Sequence, residues 1–269
     1  MSDRYSRAVH SVVVIPTYQE AENIDRLLRS IRAHAPTLDI MIVDDNSPDG
    51  TAELAQSVGE EIGGVEVVRR PGKAGLGVAY RHGFRHALSQ GYELIAQMDA
   101  DLSHDPAVLP QLFSAVEAGD DVCVGSRYVP GGSAPNWGWA RRQLSRLANS
   151  YAKKMLKLTF NDATTAFRLY RSEVLEGIDI DGTTANGYLF QIETGFRLSD
   201  HGYRISEVPI TFLDREAGAS KMAVLETMIE TAFRVTWWGM VIRAPGFTGA
   251  VRRTAPGRYM QDRVRHVQR

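Results

Sequence analysis

The chain has 269 residues, 43% of them apolar, and is therefore long enough to bury a large core in one main domain. It carries 31 Lys and Arg against 32 Asp and Glu, and this balance argues against a uniformly basic nucleic-acid-binding protein. The single cysteine, Cys123, excludes an internal disulfide framework and a cysteine-rich metal site. Its place in the apolar run Val122–Val124 predicts a buried thiol.

The first two-thirds of the chain alternate short apolar runs with helical patterns. Strands are predicted over residues 11–16, 39–43, 65–68, 93–98 and 121–125. Between them, apolar residues recur at helical spacing over 24–31, and helices are predicted over 51–61, 77–90 and 107–118. Strands that alternate with helices imply an α/β fold with a mostly parallel sheet that is covered on both faces.

The pattern changes after residue 126. A loop is predicted over 128–138, helices over 141–158 and 188–201, a strand over 203–210, and an amphipathic, apolar-biased helix over 223–242. We divide the chain into an N-terminal tail (1–10), a main domain (11–222), the amphipathic helix (223–244) and a basic flexible tail (245–269). The N-terminal residues lack the apolar segment of a secretory signal, and the three charges in the 223–242 helix argue against a transmembrane span.

Polar residues and glycines follow each predicted strand of the first half. Ligands of open α/β sheets bind beyond the carboxyl ends of the strands, so these residues are expected to meet at one edge. Asp99 and Asp101 stand two residues apart at a strand end, where side chains i and i+2 point to the same side. Two such carboxylates favour a hard divalent cation held together with substrate phosphates; the alternative is a solvated turn.

Two other segments at this edge allow two interpretations each. Asp45, within Asp44–Gly50, either belongs to a turn and helix cap or contacts a nucleotide, and we favour the nucleotide. The segment Gly72–Gly77 matches neither of the glycine-rich phosphate-binding patterns. Lys73 within it is either a solvated loop residue or, as we expect, part of a donor-nucleotide site.

Six segments, taken in chain order, resemble the motifs of a known enzyme family. They are PTYQE, VDDNSPDGT, GKAGLG, MDADLSHDP, GSRY and DREAGASK, the last at 214–221. Together they resemble the family 2 glycosyltransferases of the GT-A (Rossmann-like) fold, and within them the dolichol and polyprenol phosphate mannose synthases, most of all the actinobacterial ones. The resemblance covers roughly residues 11–222. It implies transfer of mannose from GDP-mannose to a polyprenyl phosphate, with inversion, assisted by Mg²⁺ or Mn²⁺.

The resemblance also implies roles for individual residues. The guanine nucleoside would contact Pro16, Tyr18, Glu20, Val43 and Asp45, and the diphosphate and metal would contact Asp99, Ala100 and Asp101. Phosphates would be bound by Arg127, Arg215 and Lys221, the last on the donor side, and the acceptor phosphate by Arg127, Arg141 and Ser145.

Two positions depart from the family pattern. Ser103 stands where the family commonly has a glutamine that serves as a metal ligand, so a hydroxyl or a water would have to replace that ligand. Thr165–Arg168 replaces a common SGFR segment, which suggests a tighter fit near a turn.

Two helices are candidates for a lipid interface, because a polyprenyl chain must be reached at a bilayer. The 141–158 helix has six basic residues and no acid, with Leu144, Leu147, Tyr151, Met155 and Leu158 at helical spacing. The 223–242 helix carries Trp237 and Trp238. We expect a peripheral protein at the cytoplasmic face of the plasma membrane, bound to an anionic surface; ordinary core packing and docking onto an integral membrane protein are the alternatives.

Three other functions compete with mannose transfer. A polyprenyl-phosphate glucose synthase or a related UDP-sugar transferase would share most of these motifs. A phospho-receiver module also has paired acids at strand ends, but the chain is too long for one. A non-catalytic lipid-phosphate-binding protein would not need the Asp99 and Asp101 pair.

Overall fold

The computed structural model describes residues 9–213 and 230–240. Within these residues the chain forms one seven-stranded sheet with helices on both faces. The strands are β1 (Ser11–Thr17), β2 (Asp39–Asp44), β3 (Val65–Arg69), β4 (Leu94–Gln97), β5 (Val122–Ser126), β6 (Arg168–Arg171) and β7 (Ile205–Pro209). The predicted α/β fold is confirmed.

The helices of the described residues follow the predicted order, with one short helix, over Ser172–Gly177, that was not predicted. They are α1 (Ala21–His34), α2 (Thr51–Ile62), α3 (Leu76–Ser89), α4 (Leu109–Glu117), α5 (Trp139–Leu156), α6 (Ser172–Gly177), α7 (Tyr188–His201) and α8 (residues 230–240), with 3₁₀ turns at Pro106–Val108 and Ile180–Gly182.

The strand order is β3-β2-β1-β4-β6-β5-β7. All neighbouring strands run parallel except β6, which is antiparallel to both β4 and β5. The carboxyl ends of β1, β2, β3 and β4 therefore lie along one edge, where the predicted site residues follow.

Alternating strand residues build two separate cores. On β1, Val13 and Ile15 pack with the apolar stripes of α1, α2 and α4, whereas Val12 and Val14 face the core formed with α3, α5, α6, α7 and α8. This alternation follows from the two-residue period of a strand. Cys123 is fully buried on the first of these faces, as expected.

Strand β6 was not predicted from the sequence. Its four residues include Arg168, which is fully buried, and Arg171, which is partly buried, and arginines are unusual in a central strand. The segment Thr165–Arg168, expected to lie near a turn, follows a turn at 163–164 and leads directly into β6, where Arg168 pairs with Gln97 of β4.

The predicted domain boundaries remain predictions. The described residues include most of the main domain and the central part of the C-terminal helix as α8. Most of the N-terminal tail (1–8), the segment 214–229 and the end of the chain (241–269) lie outside the described residues.

Candidate active site

The ends of β1, β2 and β3 are tied together by backbone hydrogen bonds. The Asp45 amide donates to the Thr17 carbonyl at 3.0 Å, and the Arg70 amide donates to the Asp44 carbonyl at 2.8 Å. Two residues predicted to contact the nucleoside, Pro16 and Val43, are direct register partners on β1 and β2, and both are buried. The residues expected to form the donor side therefore do share one edge.

The two neighbouring acids Asp44 and Asp45 have different roles in the structure. Asp44 is a turn anchor: it accepts hydrogen bonds from the Thr17 hydroxyl at 2.8 Å, and from the Ser47 amide at 2.9 Å and hydroxyl at 2.6 Å. Asp45 instead forms an ion pair with Arg70, and both side chains are nearly buried. Burial raises the pKa of the Asp45 carboxyl, while the positive charge of Arg70 acts in the opposite direction.

Arg70 was missed by the sequence reading. It directly follows the last residue of β3, so the expectation that site residues follow strand ends includes it, although only the glycine-rich segment after it was predicted to contribute. The pair places both hydrogen-bond donors and acceptors at this edge of the sheet.

Tyr18 and Lys73 come from different loops and meet at this edge. The Lys73 ammonium lies 4.1 Å from the centroid of the Tyr18 ring, a cation–π contact. Glu20 is half-buried at the start of α1, where its amide donates to the Thr51 hydroxyl at 2.9 Å. Tyr18 and Glu20 therefore follow β1, Asp45 follows β2 and Lys73 follows β3.

The glycines of the 72–77 segment serve close packing. Gly75 has φ +104°, a conformation that other residues rarely adopt. A Cβ at Gly77 would lie 2.4 Å from the Ala185 carbonyl oxygen. The segment is thus fixed against residues 183–187, which places α3 and its Tyr80 beside β4.

Asp99 and Asp101 follow β4 and are both partly exposed. The Tyr80 hydroxyl donates to Asp99 Oδ1 at 2.7 Å. Ser103 donates to Asp101 Oδ1 with its amide at 3.1 Å and its hydroxyl at 2.5 Å. Each carboxylate is therefore oriented by a neighbour, and the hydroxyl of Ser103, predicted as a metal ligand, is a hydrogen-bond donor to Asp101 in this structure.

The carboxylates of Asp99 and Asp101 are the kind of oxygen ligand that suits a hard divalent cation. Among residues 9–213 and 230–240, no group of three or more His, Cys, Asp or Glu side chains is arranged to hold a metal ion. The chain thus offers two carboxylates, and Mg²⁺-type ions are commonly held by one or two carboxylates together with substrate phosphates.

His104 is buried close to Asp101. Its ring stacks on Phe167 at 5.2 Å between centroids and contacts Phe212 edge-on at 5.6 Å. Burial lowers the pKa of His104, so the neutral imidazole is favoured. This histidine packs against aromatic rings and does not have the setting of a cationic catalyst.

Arg127 follows β5 and is fixed by an acid that the sequence reading did not select. Asp162 accepts hydrogen bonds from Arg127 Nε at 2.8 Å and Nη2 at 2.7 Å, and the Arg127 backbone amide donates to it at 3.0 Å. Thr164 accepts a further bond at 2.7 Å. Burial lowers the pKa of Arg127, but the charge of Asp162 and its hydrogen bonds outweigh burial and raise it overall. Only the tertiary fold shows this partner, 35 residues away.

The predicted acceptor residues lie at the start of α5 and contact the 128–138 loop. The Arg141 guanidinium lies 4.4 Å from the centroid of the Trp137 ring, and the Ser145 hydroxyl lies 2.6 Å from the Tyr128 hydroxyl. A cavity of about 110 Å³ opens beside them. Its lining includes Arg127, Tyr128, Trp137, Arg142 and Arg146. Arg142 and Arg146 thus join Arg127 there, although the sequence reading assigned neither to a phosphate.

Helices α5 and α8 expose large apolar side chains. We call the set the apolar surface, and its members are Trp139 (74% exposed), Leu144 (48%), Leu147 (67%) and Tyr151 (40%) on α5, and Phe233 (71%) and Met240 (51%) on α8. The helices are joined by a hydrogen bond of 2.5 Å between the Tyr151 and Thr236 hydroxyls. Core packing therefore explains only part of the predicted apolar face: Leu158 is buried and Met155 packs against the core, whereas Leu144, Leu147 and Tyr151 are exposed.

The opposite face of α8 does pack into the core. Val235 and Trp238 are nearly buried and belong to the same cluster as Ala152 and Leu156 of α5. In the described part of the chain, no helix combines the length and the hydropathy needed to cross a bilayer. Arg215 and Lys221, expected to bind phosphates, lie outside the described residues.

Comparisons with known proteins agree with this architecture. The profile "Glycosyl transferase family 2" matches residues 12–179. The polyprenol monophosphomannose synthase of Mycolicibacterium smegmatis is 44% identical over 243 residues, which cover 90% of this chain and 91% of that protein. The undecaprenyl-phosphate mannosyltransferase of Micrococcus luteus is 43% identical over 235 residues, covering 87% and 96% of the two chains.

A solved structure shares the fold at low sequence identity. Glucosyl-3-phosphoglycerate synthase from Mycobacterium tuberculosis, in complex with Mn²⁺, UDP and glucosyl-3-phosphoglycerate, superposes with a TM-score of 0.63 at 17% identity, over 86% of this chain and 80% of that one. The matched profile spans more than half of the sequence, and the two relatives span nearly all of it. This chain therefore belongs to glycosyl transferase family 2.

Proposed function

We propose that this protein transfers mannose from GDP-mannose to a polyprenyl phosphate, giving polyprenyl-phosphate-mannose and GDP with inversion at the anomeric carbon. The observation that carries the proposal is the identity of 43–44% to two relatives, one named a mannosyltransferase and the other a phosphomannose synthase, each acting on a polyprenol by name. That similarity extends across both the donor side and the acceptor side of the site.

The donor nucleotide would lie across the ends of β1, β2 and β3. Asp45 offers a carboxylate to base N–H groups, and Arg70 keeps that carboxylate paired where burial would otherwise disfavour its charge. Tyr18 and Lys73 would contact the nucleoside from the other side, and Lys73 adds a positive charge. Lys221 and Arg215 are further candidates for the phosphates.

Asp99 and Asp101 would hold Mg²⁺ or Mn²⁺, and Ala100 between them would lie against the ribose and diphosphate. When bound, the metal supplies Lewis-acid stabilisation of the negative charge on the leaving diphosphate. Tyr80 and Ser103 orient the two carboxylates through the hydrogen bonds described above. Ser103 stays a predicted ligand, either directly or through water.

The acceptor chemistry requires cations more than a base. A phosphate monoester has its second pKa near 6, so its oxygen is already a charged nucleophile at neutral pH. Arginines offset the repulsion between two phosphate groups of like charge. Arg141 and Ser145 are the predicted acceptor-phosphate residues, and the cavity beside them adds Arg142 and Arg146. The buried, neutral state favoured for His104 is consistent with a reaction that uses no histidine base.

Inversion follows from a single displacement. The acceptor phosphate oxygen forms a bond to the anomeric carbon as the bond to the GDP oxygen breaks, and GDP leaves with that electron pair. No carboxylate of the chain is needed as a nucleophile, so Asp99 and Asp101 remain available to hold the donor.

The apolar surface would meet the lipid. Trp139, Leu144 and Leu147 on α5 and Phe233 on α8 expose apolar area, and α5 itself also carries five basic residues. This combination favours adsorption to an anionic bilayer at the side where the acceptor phosphate enters. A peripheral position at the cytoplasmic face of the plasma membrane would follow; an integral membrane partner is the alternative occupant.

The test is transfer of radiolabelled mannose from GDP-mannose to a polyprenyl phosphate, with Mg²⁺, with Mn²⁺ and with chelator. We expect a labelled lipid product only when a divalent cation is present. A parallel assay with UDP-glucose checks the donor. Glucose transfer without mannose transfer would make the protein a polyprenyl-phosphate glucose synthase, and lipid binding without any transfer would make it a non-catalytic binding protein.

A further inference from the structure

A chain of buried polar side chains lies directly behind Asp99. Tyr80, Gln97 and Tyr170 are all 0% exposed and come from α3, β4 and β6. The Tyr170 hydroxyl donates to Gln97 Oε1 at 2.9 Å, and Gln97 Nε2 donates to Gln191 Oε1 at 2.9 Å. The Gln97 side chain also interacts with the Tyr80 hydroxyl, which in turn donates to Asp99 Oδ1 at 2.7 Å.

The Asp99 carboxylate, which is the acceptor at the end of the chain, fixes the direction of these hydrogen bonds. An ionised carboxylate can only accept, so the Tyr80 hydroxyl must donate to Asp99 and its oxygen must accept from elsewhere. The Gln97 side chain lies beside that oxygen and turns its own carbonyl oxygen toward Tyr170. The Tyr170 and Tyr80 hydroxyls therefore both donate in the direction of Asp99, an arrangement in which successive hydrogen bonds polarise one another, while Gln97 also donates to Gln191.

The far end of the chain is anchored by a buried cation. Arg168 donates to the backbone carbonyls of Gln191 at 3.1 Å and Ala163 at 3.0 Å, and its guanidinium interacts with the Tyr170 hydroxyl. These contacts tie β6 and α7 to the chain. The Tyr80 ring is held independently by stacking on Phe84 at 5.7 Å and Phe190 at 5.9 Å.

We propose that Tyr80 is a positioning residue for the metal-binding carboxylate: its hydroxyl, backed by Gln97 and Tyr170, holds Asp99 in the orientation that binds the divalent cation. The inference rests on the proposed function, because that function places a cation at Asp99. Hydrogen-bond partners of metal ligands fix ligand orientation, and their loss typically weakens metal affinity about 10- to 100-fold.

The decisive variant is Tyr80→Phe. The ring keeps its stacking partners, so the change removes the hydroxyl and little else. The matched control is Tyr92→Phe, which removes a hydroxyl that also donates to an aspartate, Asp39 Oδ2 at 3.0 Å, but at the amino ends of β2 and β4. Mn²⁺ affinity is measured on the full chain by electron paramagnetic resonance, first alone and then with GDP, together with the thermal melt of the metal-free protein.

We expect Tyr80→Phe to raise the Mn²⁺ dissociation constant at least about tenfold. Tyr170→Phe should give a smaller rise, and Tyr92→Phe none. Wild-type Mn²⁺ affinity in Tyr80→Phe would overturn the inference, as would an equal loss in Tyr92→Phe or an absence of Mn²⁺ binding in the wild type. Mannose transfer is assayed separately: a wild type that binds Mn²⁺ and makes no mannosyl lipid refutes the proposed function and leaves the role of Tyr80 intact.

Discussion

The donor side and the acceptor side of the site are stabilised in different ways. On the donor side, Asp44 and Asp101 each accept hydrogen bonds from a serine two or three positions away in the chain, and the longer-range contacts of the donor-side aspartates span 19 to 27 residues. On the acceptor side, the long-range contacts span more of the chain: Arg127 pairs with Asp162, 35 residues away, and Tyr151 bonds to Thr236, 85 residues away.

The difference extends to what each side exposes. The donor side presents partly buried charges, whereas the acceptor side presents arginines beside large exposed apolar side chains. A water-soluble nucleotide needs a preorganised polar edge, while a lipid phosphate needs cations next to an apolar surface. We therefore expect substitutions on the donor side and on the acceptor side to impair different properties of the protein.

The largest effect is expected from Asp101→Asn on the donor side. The change removes a charge that would help to hold the metal, and such metal-based charge stabilisation supplies several kcal/mol, so transfer should fall by at least about a thousandfold. Radiolabel transfer by the folded variant is the measurement. Asp25→Asn, which removes an exposed carboxylate paired with Arg29 at 2.8 Å, should leave transfer unchanged. Normal turnover of Asp101→Asn would refute the metal role.

Asp162→Ala should show that the acceptor side depends on a long-range pair for its fold. It leaves the nearly buried Arg127 without its carboxylate, and loss of one partner of a buried pair costs about 3–5 kcal/mol in the free energy of unfolding. Urea denaturation is the measurement. The control is Glu53→Ala, which breaks an exposed pair with Arg69 and should cost less than about 1 kcal/mol. Equal costs would contradict the proposed importance of the Arg127–Asp162 pair.

Leu147→Asp should separate lipid binding from catalysis. A charge on the apolar surface removes one large apolar contact, for which full burial contributes about 1.5–3 kcal/mol, so binding to anionic liposomes should fall at least about tenfold. Co-sedimentation at low and high salt is the measurement. Val9→Asp alters an exposed apolar residue just before β1, at the opposite edge of the sheet, and should leave liposome binding unchanged. A wild type that fails to co-sediment at low salt would remove the membrane model.

The smallest effect is expected from Lys73→Gln on the donor side. The lysine is exposed and contacts the Tyr18 ring at 4.1 Å, and an exposed cation–π contact contributes about 0.5–1 kcal/mol. The KM for GDP-mannose should rise about two- to fivefold with little change in kcat. Steady-state kinetics with both substrates is the measurement, and a large loss in kcat would instead place Lys73 against the reacting phosphates.

Most of the donor side could be predicted from the sequence because it is built from strand ends. β-Branched runs locate the parallel strands, and residues that follow such strands share one edge, as Asp45 and Asp99 do. The same reasoning selected Asp45 for the nucleotide but gave no role to Asp44, which anchors the turn through Ser47. It also missed Arg70, because only folding brings that guanidinium to the Asp45 carboxylate.

The sequence alone determined the α/β class, the carboxylate pair and the basic, apolar-faced helix, because these depend on periodicity and on neighbours in the chain. Tertiary structure decided the rest: the antiparallel β6 with its buried Arg168, the Asp162 partner of Arg127, and the hydrogen-bond chain from Tyr170 to Asp99. Each of these joins residues far apart in sequence, where a buried polar group needs a partner that no local pattern specifies.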